Sequence, residues 1–197
     1  MSAITAPRTQ KRLTLADFLA TPEGPPHFEF EDGELIPMVS PHGRHQDVLL
    51  ALGSELREHI LKHTLGHIWL ELDVHLPNNR VYIPDLVFLT RAHLDRLSPE
   101  DGKIHGVPDL VVEIFSPTTK RRDKTTKKNV YHRAGVPWYW MVDADGLLID
   151  ECQWKKDGYL LTQSLGPGEP FTPRLFPALT IDLAALLGET PPTEAGA

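Results

Sequence analysis

Cysteine is almost missing from this chain. Cys152 is the single one in 197 residues, so no internal disulfide framework can form, and a reducing cytoplasm is the expected setting. Long hydrophobic runs are missing too. None approaches the ~20 apolar residues of a membrane span, and MSAITAPRTQKRL lacks the apolar core of a signal peptide. There is no excess of basic residues. Twenty Lys and Arg against 27 Asp and Glu give a net charge of −7, which excludes a protein that coats nucleic acid without selectivity. A local basic site remains compatible with that total, because binding follows the local field. Internal repeats are absent as well.

What is present suits one globular domain, since 41% of the residues are hydrophobic and 24% charged. Residues 1–12 read as a flexible N-terminus, 13–188 as the domain and 189–197 as a disordered tail rich in Pro, Thr and Ala. Thr14 and Asp17 have the spacing of a capping box before a short helix. Residues 27–31 alternate as a strand does, Asp32-Gly33 reads as a tight turn, and Glu34-Leu35-Ile36 as the return strand. Leu49, Leu52, Leu56 and Ile60 recur at helical spacing, which predicts an amphipathic helix over 44–62. One strand is expected over 68–76, and another over 81–89 interrupted by Pro84-Asp85. Leu110 to Phe115 has the pattern of a strand buried on both faces, and 118–134 that of a helix closed by Gly135. A strand over 138–142, a hairpin around Asp157-Gly158 and a short helix at 182–187 follow. The order predicts an α/β (α+β) fold with a mixed central sheet flanked by helices and additional hairpins.

The chemistry concentrates around GVPDLVVEIFSPTTKRRDKTTK, residues 106–127. Glu113 interrupts an otherwise apolar strand, and a basic run follows it with Lys120, Arg121, Arg122, Lys124, Lys127 and Lys128. Asp85 follows a proline, where ladder pairing is already weak. Two carboxylates buried close together need a cation. Mg²⁺ suits a few carboxylates, a carbonyl and water, so Asp85, Glu113 and the backbone carbonyl of Ile114 form a candidate set, with Lys127 to neutralise phosphoryl oxygens. The plainer alternative is a buried ion pair at Glu113 and a turn cap at Asp85. The basic run is either a phosphate-contacting patch (Lys120, Arg121, Arg122, Lys124) or the solvated face of a helix. Asp123, Lys127 and Tyr131 are four apart and share one face. His59, His63 and His67 have a similar spacing, but Gly66 ends the helix before the third, so a solvated face is the better reading than zinc.

Several ordered motifs together resemble a known family. They are Tyr82-Ile83-Pro84-Asp85, residues 107–117 (VPDLVVEIFSP), Asp123 with Lys127 and Tyr131, and residues 134–143 (AGVPWYWMVD). The stretch from Phe28-Glu29 through Gly33-Glu34-Leu35 and His45 also agree. The resemblance runs from about Leu13 to Leu187 and is to bacterial restriction-endonuclease-like proteins, expanded in cyanobacteria, of the PD-(D/E)XK nuclease superfamily. It implies a restriction-endonuclease-like core, Asp85 as the metal-binding aspartate and Glu113 as the second acid. The superfamily's lysine is expected two residues after that acid, where this chain has Phe115. The resemblance implies that the lysine has moved to the following helix, as Lys127. Glu34 or Glu29 would complete the site, and His45 would serve as base, metal ligand or phosphate contact, or merely as a helix N-terminal residue bonded to the loop. The expected activity is Mg²⁺-dependent DNA endonuclease, with Mn²⁺ as substitute, DNA as partner, a homodimer and no membrane. The alternative is an inactive nuclease fold that binds nucleic acid or a protein.

Overall fold

The computed structural model describes residues 12–22, 24–38, 40–115 and 123–190. The chain begins with α1 (Leu15–Leu19), β1 (Phe28–Glu31), β2 (Glu34–Pro37) and α2 (Gly43–Lys62). Next come β3 (Gly66–Leu70), β4 (Val74–Leu76), β5 (Arg80–Tyr82), β6 (Leu86–Thr90), a 3-10 turn and β7 (Ile104–His105). Then β8 (Leu110–Phe115) precedes a π turn at Asp123–Lys127, which runs into α3 (Lys128–Ala134). The last elements are β9 (Trp138–Asp143), β10 (Leu148–Lys155), β11 (Gly158–Leu165) and α4 (Leu183–Leu186).

The strands form two mixed sheets. One has the order β2-β1-β5-β4-β7 and the other β11-β10-β9-β8-β6-β3. Parallel pairing occurs at β4 with β7 and at β8 with β9, and the remaining pairs are antiparallel. The α2 stripe of Leu49, Leu52, Leu56 and Ile60 packs on one face of the six-stranded sheet, together with Leu110, Val112 and Ile114 of β8. Fully burying each such leucine or isoleucine is worth about 1.5–3 kcal/mol. Val111 and Phe115 point to the opposite face, where they meet Tyr82, Val130 and Tyr131. β8 is therefore buried on both sides, as its sequence predicts.

Two expected strands are each divided between the sheets. The stretch over 68–76 leaves the six-stranded sheet after Leu70 and joins the other at Val74, with Glu71 at φ 47° in the bend. The stretch over 81–89 makes the opposite crossing at Ile83-Pro84-Asp85. The pairing of β6 with β8 ends at Leu86 opposite Val112. Proline has no N–H to extend it, and the Asp85 carboxylate takes the next free donor, the Ile114 N–H, at 2.5 Å. No helix among the described residues is long and apolar enough to cross a membrane.

Candidate active site

The crossing at Asp85 lies at the floor of a cleft of about 1210 Å³. Its walls come from the loop before β1, the end of β2 and the N-terminus of α2, and its floor carries Glu29, Asp85, Glu113 and Lys127. Asp85 directly precedes β6, and Glu113 directly follows Val112, the last β8 residue paired with β6, so both lie where that pairing ends. The two carboxylates reach one cleft from positions 28 residues apart.

Glu113 is 3% exposed, so its charge needs compensation. The Lys127 ammonium donates to both Glu113 oxygens at 2.9 Å, and the Tyr131 hydroxyl donates to Oε1 at 2.8 Å. Lys127 and Tyr131 are four residues apart, so the turn and helix that follow β8 present them together. Burial and the charge of Glu113 push the Tyr131 phenol well above its ordinary value, so it remains a proton donor. Lys127 is also 2.9 Å from Glu29 Oε1. The Ile83 N–H donates to that same oxygen at 3.3 Å.

Asp85 faces the other way, toward α2. Its Oδ1 lies 3.1 Å from His45 Nε2. Burial opposes a charge on His45, but the hydrogen bond and charge of Asp85, aided by the Ile114 carbonyl, outweigh it and raise the imidazole's pKa. A carboxylate oxygen and the Ile114 carbonyl thus converge on one imidazole. The Nδ1 atom of His45 is buried without a hydrogen-bond partner.

A model of the Uma2 family, described as "Putative restriction endonuclease", matches residues 15–184. The chain belongs to that family. A solved structure described as a putative nuclease belonging to DUF820, from Anabaena variabilis ATCC 29413, has a TM-score of 0.72 at 21% identity. The match covers 89% of this chain and 98% of that one, and it establishes a shared fold. No curated protein matches.

For this Uma2 chain, the donors at the cleft floor fit a hard cation. Asp85, Glu113 and the Ile114 carbonyl are all oxygen donors, and Mg²⁺ uses few protein ligands and keeps several waters. Among the described residues no three His, Cys, Asp or Glu side chains gather closely enough to hold a metal alone. The cleft lining holds five carboxylates, Glu29, Glu71, Asp73, Asp85 and Glu113, against one lysine. A phosphate entering it needs added positive charge.

The sequence-predicted residues divide into three groups. Asp85, Glu113, Lys127, Ile114 and His45 line the cleft together. Glu34 is exposed on β2 opposite Glu31 and lies outside the lining, while Glu29 is the acid of that hairpin which reaches Lys127. Lys120, Arg121 and Arg122, with the side chain of Lys124, lie outside the described residues. Phe115 is fully buried, packed in the core beside Tyr131. Glu71 and Asp73 were not anticipated, since a continuous strand through them gives no sign of the bend that brings both to the cleft. The His59 and His63 rings meet tilted at 4.5 Å, with His59 buried rather than solvated, and His67 turns instead to Trp69.

Proposed function

We propose that this protein is a Mg²⁺-dependent DNA endonuclease, with Mn²⁺ able to substitute. The supporting observation is the convergence of Asp85 and Glu113 on one cleft, with the Lys127 ammonium against Glu113. Membership of a family described as a restriction endonuclease agrees with that reading. Asp85, Glu113 and the Ile114 carbonyl would hold the ion, which when bound supplies Lewis acidity and a lowered water pKa. Lys127 offsets charge that develops on the phosphoryl oxygens. His45, set against Asp85, fixes that carboxylate toward the cleft and holds a proton at Nε2. The net chemistry adds a water oxygen to phosphorus and breaks one P–O ester bond, and the departing oxygen takes up a proton. The basic stretch Lys120, Arg121, Arg122 and Lys124 would grip neighbouring phosphates without reading sequence.

Supercoiled plasmid and short duplexes incubated with the wild type, Asp85→Asn and Glu113→Gln test this. The expected result is cleavage by the wild type in Mg²⁺, none in EDTA and none by either folded variant. Full cleavage by both variants would overturn the reading. DNA binding by a wild type that never cleaves would favour the alternative, an inactive nuclease fold. We extend the proposal to a homodimer, since cutting both strands suits paired sites; a monomeric mass by light scattering with DNA present would count against it.

A further inference from the structure

Glu29 breaks the alternation of its own strand. In the sequence Phe28-Glu29-Phe30-Glu31, an amphipathic β1 would turn both glutamates to water. Glu29 is instead 2% exposed, while Phe30 on the opposite face stacks on Phe18 at 5.2 Å. β1 therefore buries both faces at its centre, and one of them buries a carboxylate in the floor of the cleft. A carboxylate is expensive there without partners. Its Oε1 takes both the Lys127 ammonium and the Ile83 N–H.

An ammonium has three protons. Three carboxylate oxygens lie 2.9 Å from Lys127 Nζ, two from Glu113 and one from Glu29. A cation on Glu113 changes this balance in two ways. It draws on at least one oxygen that Lys127 now uses, and it repels the ammonium directly. The lysine stem is flexible and can swing away. Glu29 opposes that movement. It sits in the other sheet, and its oxygen is tied to the backbone two residues before Asp85, so it is not free to follow the ion.

We propose that Glu29 is a positioning residue, which keeps the Lys127 ammonium at the cleft floor when Glu113 engages a divalent cation. This rests on the hydrolytic reading above. A merely structural pair would tie β1 to the turn before α3 and leave turnover unaffected.

The test uses the full chain with ¹⁵N-labelled lysine and follows the Lys127 Nζ signal with and without Mg²⁺, alongside steady-state cleavage. In the wild type the protected ammonium signal should persist at saturating Mg²⁺. In Glu29→Gln, which keeps an acceptor of the same shape without the charge, the signal should persist without Mg²⁺ and vanish when it is added. The kcat of that variant should fall on the order of 100-fold with KM unchanged, and Glu29→Asp should recover part of the loss. Loss of the wild-type signal on adding Mg²⁺ overturns the proposal without any variant. So does a Glu29→Gln protein that keeps both signal and kcat. If the wild type cleaves no DNA, the spectra still decide: a signal that Mg²⁺ removes only from Glu29→Gln upholds the positioning role while the hydrolytic reading falls.

Discussion

Lys127 carries one positive charge between Glu29 and Glu113, carboxylates that are 2% and 3% exposed. Its neighbours fix what its loss should do. Removing one partner of a buried ionic cluster costs more than the cluster's net worth, because the remaining charges stay buried without the ammonium that offset them. Lys127→Met should therefore destabilise the fold by about 3–5 kcal/mol in urea unfolding. A change under about 1 kcal/mol would mean that the cluster behaves as a surface pair. At this scale the sequence was informative where a residue violated its local pattern. Glu113 inside an apolar strand and Lys127 four residues from Tyr131 were both readable. Glu29 was harder to read, because β1 alternates regularly and its polar side is met by Lys127, from the distant turn before α3.

The elements depend on backbone details as much as on hydrophobic spacing. α2 was legible almost to the residue, 44–62 expected against Gly43–Lys62 observed, because its leucine stripe lies over a single sheet. The divided strands were not legible, because alternation continues through residues 68–76 whichever sheet receives them. Asp85 at the second crossing uses its side chain as a ladder acceptor, a role that a short polar residue after proline permits but does not announce. Gly66 opens β3 at a tight approach, where an added Cβ would lie 2.0 Å from the Leu89 carbonyl oxygen and 2.8 Å from the Thr90 Cα. Both obstacles are backbone, so the pairing of Gly66 with Thr90 must give way. Gly66→Ala should cost about 3 kcal/mol or more, seen as a lower unfolding midpoint. Gly53→Ala is a milder control, because its added Cβ would meet only side chains, Leu86 at 3.2 Å and Leu70 at 3.8 Å. Equal stability losses in the two would contradict this account.

For the whole molecule, the net charge of −7 says little about the site, while the cleft concentrates five carboxylates around one lysine. The edge of the five-stranded sheet adds a pH dependence. Burial, helped by the nearby His105 and Lys103 and opposed by Asp73 and Asp101, lowers the pKa of His75 below its ordinary 6.5. The folded state thus binds fewer protons there than the unfolded chain. The stability this provides is complete above pH 6.5 and is lost as the pH falls below it. His75→Gln should flatten that loss in urea midpoints compared at pH 7.5 and 5.5; an equal drop in wild type and variant would assign the acid sensitivity elsewhere. The central claim, that the Asp85 and Glu113 carboxylates form a cation-dependent nuclease centre, is tested most directly by calorimetric titration. Mg²⁺ is titrated into the wild type and Asp85→Ala, each with a phosphorothioate duplex that cannot be cut. The account predicts binding to the wild-type complex and none to the folded variant, whereas equal binding to both would contradict it.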